Sequence, residues 1–318
     1  MNTNHSPEVS IVVTSYNNGR FLVATIESII QQTHTDWELI LIEDASNDDS
    51  LVIAQKYTEQ EPRIRLIIHE KNKGLAFSVR EGVFAARGKQ VAFLESDDTW
   101  EPRSLEQKLH WLKKSGAALC WSDFNAIGAP NFWRRRGLSM LLANDFARLE
   151  PYRQISLPWL PVRNIIPSFS CVMAQADVLR SLNFNTPEQN GELTDHWLWS
   201  QIAATQTFCF IPEKLTNWNL HPASYMVRQS RGSIATYREK KREYVQQLLA
   251  LVVPLTGSTV SAEKYLTECL AQRPGKNGLV RQMCDAIEAR RLRSSIFWKT
   301  LVYSKDFLWL TATKSVLF

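Results

Sequence analysis

Four short apolar runs alternate with stretches of helical spacing over the first hundred residues, and that alternation leaves few folds open. Residues 9–13 (VSIVV), 37–42 (WELILI), 64–68 (IRLII) and 91–94 (VAFL) read as strands. Between them, Phe21 to Gln32 carries Leu22, Ile26, Ile29 and Ile30 at helical spacing. Leu51 to Gln60 follows the candidate caps Asn47 and Asp48, and Ala76 to Ala86 runs to a break at Gly88. Near-continuous apolar strands, each followed by a helix, predict an α/β fold: a Rossmann-like, mainly parallel sheet with helices on both faces. Such sheets bind ligands at the carboxyl ends of their strands. Four polar clusters fall there: Thr14 to Asn17, Glu43-Asp44, Asn72 to Gly74, and Glu95 to Asp98. One polar turn would mean little; four on the same edge point to a site.

The last cluster poses an electrostatic problem. Glu95, Asp97 and Asp98 leave a buried strand almost side by side, where they repel each other unless something positive sits among them. Alternate residues of an extended segment point the same way, so Glu95 and Asp97 can face one site and hold Mg²⁺ or Mn²⁺ through oxygen. The competing reading is a helix start, with Asp98 or Thr99 capping the helix after Trp100-Glu101-Pro102. The residues alone leave both open.

Phosphate-binding glycine loops are absent: there is no G-x-G-x-x-G after the first strand and no G-x-x-x-x-G-K-[ST]. This counts against a dinucleotide dehydrogenase, a P-loop enzyme or a generic doubly wound nucleotide-binding protein. Any bound phosphate must be neutralised by a metal and cationic side chains. The cysteines Cys120, Cys171, Cys209, Cys269 and Cys284 form no C-x-x-C pair, so buried reduced thiols are expected. No signal peptide and no run of ~20 apolar residues is visible, so a cytoplasmic protein, or one peripheral on the cytosolic face of the inner membrane, is expected.

Beyond the fourth strand, Leu105 to Lys114 and Ala117 to Trp121 read as helix and strand. The pattern then loosens through 128–165 and returns at Pro167 to Ala174, Asp177 to Leu182, Thr194 to Ala204 and Phe208 to Ile211. Residues 225–318 read as mainly helical and basic, with 16 Lys and Arg against 7 Asp and Glu; with a net charge of +5 overall, residues 1–224 carry −4. The tail holds Phe297, Trp298, Tyr303, Phe307 and Trp309 among Arg290, Arg291, Arg293, Lys299 and Lys305. That pattern fits an interfacial helix making peripheral membrane contact, or equally a helix packed on the domain or in a dimer. A nucleic-acid partner is not expected.

Taken in order, the motifs resemble family 2 glycosyltransferases of GT-A fold, of the bacterial surface-polysaccharide type. The carriers are Thr14-Ser15-Tyr16-Asn17, Glu43-Asp44-Ala45-Ser46-Asn47-Asp48, Asn72-Lys73-Gly74-Leu75-Ala76, and Ala86-Arg87-Gly88 leading to Phe93-Leu94-Glu95-Ser96-Asp97-Asp98. Further segments are Gly191-Glu192-Leu193-Thr194-Asp195-His196-Trp197-Leu198-Trp199 and Asn219-Leu220-His221-Pro222-Ala223-Ser224. The resemblance implies residues 1–224 as the nucleotide-sugar-binding and catalytic domain, with 1–115 as the nucleotide half and 116–224 as the acceptor half, and a helical C-terminal extension at 225–318.

It also implies roles. Asp44 would contact the nucleobase, with Thr14, Tyr16, Asn17, Glu43, Asn72 and Gly74 around the nucleotide sugar. Asp97 and His221 would hold Mg²⁺ or Mn²⁺ near the diphosphate, with Glu95 and Ser96 on the ribose or metal-bound water. Asp195, with Glu192 the nearby alternative, would deprotonate an acceptor hydroxyl for inverting attack on the anomeric carbon. The acceptor would be a glycan or lipid-linked saccharide, met by the 128–165 loop and by Trp197 and Trp199. The sequence departs from the family at Glu95 and Glu43, where Asp is usual, at Val79-Arg80 for Arg-Asn, and at Asn219, where Arg is usual. An inverting sugar transferase is thus expected; a GT-A-like domain that only binds nucleotide or glycan is the alternative.

Overall fold

The computed structural model describes residues 6–128, 149–158, 160–161, 164–187, 193–221, 234–257 and 264. The tail aromatics, Glu192 and most of the 128–165 loop lie outside the described residues.

The first half follows the alternation. β1 (Val9–Ser15), α1 (Gly19–Ile30), β2 (Trp37–Glu43), α2 (Ser50–Gln60), β3 (Ile64–Ile68), α3 (Leu75–Ala85) and β4 (Gln90–Phe93) appear in turn. β1 pairs in parallel with β2 and with β4, and β2 with β3. β1 and β2 are buried along nearly their whole length, as the unbroken apolar runs require. The two faces of the sheet bury separate clusters: Val12, Ile40, Ile42 and Val83 on one side, Ile11, Val13, Leu39 and Leu41 on the other. This split is the period-2 alternation of strand side chains.

Beyond β4 the sheet becomes mixed. β5 (Thr99–Trp100), α4 (Ser104–Ser115), β6 (Leu119–Ile127), β7 (Gln154–Ile155) and β8 (Val172–Gln175) lead to α5 (Ala176–Arg180), α6 (Thr194–Thr205), β9 (Phe208–Asn219) and α7 (Ile234–Leu255). The order across the sheet is β3-β2-β1-β4-β8-β6-β9-β5, with β7 also on β9. β8 is antiparallel to both β4 and β6, and β5 and β7 are antiparallel to β9. The parallel expectation thus holds for β3 to β4, where helices return the chain to the same end. β6 and β9 run well past their apolar starts because each supplies the other with backbone partners from Leu119/Phe208 to Ile127/Asn219.

α6 is buried almost all round, and α7 lays Tyr244, Val245, Leu248, Leu249, Val252 and Val253 into the same core. Trp197 and Trp199 therefore do not face an acceptor: they are 5% and 0% exposed. Trp199 packs on Phe93 and Phe169, and Trp197 donates its Nε1–H to Asn183 O at 2.8 Å. Their aromatic surface is core, because the helix is covered on nearly every side by the rest of the fold. Cys120, Cys171 and Cys209 are buried free thiols, as expected. Among the described residues no helix is long and apolar enough to cross a membrane.

Candidate active site

The acidic cluster is not a helix cap. Thr99-Trp100 forms β5 on β9, and α4 starts later, at Ser104, with no side-chain cap. Asp98 turns inward instead and is fully buried. Its Oδ2 accepts from Ser170 Oγ at 2.6 Å and its Oδ1 from the Asn219 amide at 2.8 Å. Asp98 thereby ties the loop after β4 to the end of β9.

The turn Phe169–Cys171 is the second support of the loop. Ser170 Oγ accepts the Glu95 amide at 3.0 Å, and Ser168 Oγ donates to Glu95 Oε2 at 2.6 Å. Nothing in the sequence marked these serines, since Ser-x-Ser before a strand is ordinary. Ser170 O in turn accepts from Trp100 Nε1 at 2.7 Å, Lys108 Nζ at 2.9 Å and Thr216 Oγ1 at 3.0 Å.

With Asp98 engaged below, Asp97 faces out, 20% exposed, and meets His221 from the chain after β9. His221 Nε2 lies 3.0 Å from Asp97 Oδ2, and His221 Nδ1 accepts from Arg20 Nη2, also at 3.0 Å. Arg20 was absent from the sequence-derived site. Burial first, then the Asp97 and Asp195 carboxylates, push Glu95 up to about 8 against the pull of the Ser168 hydroxyl. Burial, followed by Asp97 and Glu95, likewise holds Asp98 well above the usual carboxylate range.

These residues fit a hard divalent cation. Among the described residues no three His, Cys, Asp or Glu side chains form a complete cage. Asp97 and His221 nevertheless converge at the loop edge, and carboxylates crowded enough to be raised gain from a cation nearby. Two side chains with the remaining positions left to phosphate and water is the usual way such ions are held in nucleotide sites.

Asp195 stands in the first turn of α6 and accepts from Asn164 Nδ2 at 3.0 Å. Thr194 does not cap the helix; the cap position is Leu193. The Asp195 carboxylate is one of the two that hold Glu95 up.

A second cluster of the same edge is built on Asp44. Its carboxylate accepts the Lys73 amide at 2.8 Å, the Gly74 amide at 2.9 Å and His69 Nδ1 at 2.6 Å. His69 Nε2 reaches Glu81 Oε2 at 2.5 Å. Gly74 has φ 84°, a left-handed conformation that glycine adopts without strain, and this presents its N–H to Asp44. Glu43 is occupied by its own turn, accepting the Ala45 and Ser46 amides at 3.1 and 2.8 Å. Asn17, at φ 54°, accepts the Asn47 amide at 2.8 Å and so joins the first two loops. Ser96 is buried and bonded to Asn18 Nδ2 at 2.9 Å, turned into the fold. Tyr16 and Asn72 are exposed at the rim, and Thr14 lines a small pocket with Leu75, Glu95 and Phe169.

Known proteins are similar to this chain in sequence and in fold. The model of glycosyl transferase family 2 matches residues 10–182, more than half of the chain. Bacillus subtilis EpsE, described as a glycosyltransferase, is 30% identical over 232 residues, which are 71% of this chain and 74% of EpsE. TuaG, a B. subtilis glycosyltransferase named for teichuronic acid biosynthesis, is 33% identical over 125 residues, 39% of this chain. The chain spans about half the length of TuaG, 50%. S. aureus TarS 1–349, in complex with UDP-GlcNAc, superposes with a TM-score of 0.59 at 13% identity, covering 95% of this chain and 81% of that one. The mannosyltransferase PcManGT from Pyrobaculum calidifontis, in complex with GDP-Man and Mn²⁺, gives 0.56 at 15% identity, with 98% and 88% covered. At these identities the two structures speak for the fold.

Proposed function

The chain belongs to glycosyl transferase family 2, and from that premise we propose that it is an inverting transferase of cell-surface polysaccharide biosynthesis. It moves a sugar from a nucleoside-diphosphate donor to a hydroxyl of a glycan or lipid-linked acceptor. One observation carries this reading: two segments 124 residues apart meet at the loop after β4, where His221 Nε2 lies 3.0 Å from Asp97 Oδ2. The TuaG name supports the polysaccharide setting, and the TarS and PcManGT complexes support a nucleotide-sugar donor.

In this mechanism Asp44, held by Lys73 and Gly74 amides and by His69, receives the nucleobase, with Tyr16 and Asn72 at the rim. Asp97 and His221 would hold a divalent cation, which when bound stabilises negative charge building on the leaving diphosphate. Asp195 takes the proton from the acceptor hydroxyl. A sugar hydroxyl is a poor nucleophile, so a carboxylate within hydrogen-bond reach accelerates its attack. Attack from the side opposite the leaving group inverts the anomeric carbon. Asn164 orients the Asp195 carboxylate through its 3.0 Å bond.

The test is release of nucleoside diphosphate from a panel of UDP-, GDP-, ADP-, CDP- and dTDP-sugars with Mg²⁺ or Mn²⁺. Slow hydrolysis of one donor, lost on chelation and in Asp97→Ala, is expected. Donor binding with no turnover of any sugar, with or without membrane lipid saccharides, would reduce the protein to a binding module.

A further inference from the structure

Arg20 is the second residue of α1 and lies on the exposed side of the site. Its guanidinium carbon stands 4.3 Å over the Phe21 ring, and the Phe21 ring is 4.6 Å from that of His221. Arg20 Nη2 closes this stack by donating to His221 Nδ1 at 3.0 Å. A guanidinium can only donate, so Nδ1 accepts and Nε2 carries the hydrogen toward Asp97. Arg20 and Asp97 thus grip His221 from its two nitrogens, although 201 residues separate Arg20 from His221.

The surroundings give the arginine little else to do. Among the described residues it forms no ion pair with a carboxylate, and one bond to an imidazole engages only part of its five-donor fork. Three amides at the start of α1 are already taken. Asn18 N–H is taken by Ser50 Oγ, Gly19 N–H by Asp48 Oδ2, and Phe21 N–H by Asn18 O. Lys108, near the same loop, is wholly buried with its ammonium on Ser170 O. Lys73 stands over Phe77, on the Asp44 side. Among the described residues, an anionic group arriving at Asp97 and His221 therefore meets carboxylates and the Arg20 guanidinium.

We propose that Arg20 is a donor-binding residue whose guanidinium grips the diphosphate of the nucleotide sugar, parked on His221 and Phe21 until the donor arrives. This rests on the transferase reading above. Leaving His221 Nδ1 for the diphosphate exchanges an imidazole acceptor for phosphate oxygens. That partner is charge-assisted and bidentate, the geometry a guanidinium matches best.

The test is calorimetric binding of UDP, GDP, ADP, CDP and dTDP to the full chain, with the monophosphate and nucleoside of whichever base binds. It is run in Mn²⁺ and in EDTA for wild type, Arg20→Gln and Arg20→Lys. Arg20→Gln should weaken the diphosphate at least tenfold in both media and leave the nucleoside unchanged; Arg20→Lys should recover part of the loss. Diphosphate affinity in Arg20→Gln equal to wild type overturns the assignment while the transferase reading stands. So does an equal loss for nucleoside and diphosphate, which makes Arg20 a general support of the pocket. Failure of the wild type to bind any of the five diphosphates removes the donor reading and the Arg20 role with it.

Discussion

Asp44 Oδ1 and His69 Nδ1 lie 2.6 Å apart, and both side chains are buried. His69 is fixed at its other nitrogen by Glu81 at 2.5 Å, so strand β3 and helix α3 together set the angle of the Asp44 carboxylate. Removing a buried charge-assisted bond costs about 1.5–3 kcal/mol. His69→Ala should therefore raise the donor KM on the order of tenfold or more, with a much smaller change in kcat. Steady-state kinetics check this; a wild-type KM would take Asp44 out of the donor pocket.

Asp195→Asn keeps the shape of the side chain and removes its basicity. General base catalysis contributes typically about 10²–10⁴-fold, so kcat should fall by that order while nucleotide affinity stays within about twofold. Asn164→Ala, which frees the carboxylate without removing it, should lose less. A kcat for Asp195→Asn near that of wild type would move the base to another residue.

Glu95 is raised to about 8 by burial and by Asp97 and Asp195, so near neutral pH it keeps its proton until a cation arrives. Below that value, loading a divalent ion beside Asp97 should release a proton, and Mn²⁺ affinity should rise with pH, flattening above about 8. Calorimetry in buffers of different ionisation enthalpy measures the proton count. Glu95→Gln should abolish the release; an unchanged count would exclude Glu95 as its source.

Lys108 is buried and, among the described residues, has no carboxylate on its ammonium, which rests on Ser170 O and over the Trp100 ring. Burial lowers it to about 8, below its ordinary 10.5. Between these values the unfolded chain holds the proton and the folded chain does not, so the folded state gains stability as pH rises through that window. Lys108→Met removes this dependence, and Ser170 O keeps two other donors. The variant's stability relative to wild type should therefore decline by up to about 3 kcal/mol from pH 8 to 10.5. Urea titrations across that range check it; a pH-independent difference would show the ammonium to be solvated.

Gly82 is where α3 comes closest to the sheet. A Cβ there would stand 2.5 Å from Val12 Cγ1 and 2.9 Å from Ile42 Cδ1. Gly82→Ala should cost about 1–3 kcal/mol from overpacking, read as a lower urea midpoint with unchanged slope. No loss would mean that α3 can lift off β1 and β2.

The alternation of apolar runs with helical spacing was enough to place β1 to β4, α1 to α3 and the edge where their loops gather, because burial periodicity is local in the chain. The same locality put Asp44 and Asp97 at the ends of β2 and β4, while Asp195 and His221 were singled out by the family resemblance. It could not tell a core tryptophan from a surface one: Trp199 is covered by Phe93 and Phe169 and Trp197 by Tyr244 of α7, partners that no local pattern reveals. Nor could it tell which acid in Glu95-Ser96-Asp97-Asp98 faces solvent. That was decided by Ser170 and by the Asn219 amide, 72 and 121 residues from Asp98. Arg20, His69, Asn164 and Ser168 were passed over because each is an unremarkable polar residue until its partner arrives. The sequence determined the parallel half of the sheet and the edge where its loops gather, by where apolar side chains must hide. The tertiary structure decided the site, since a buried polar atom must find a partner wherever the closed chain brings one.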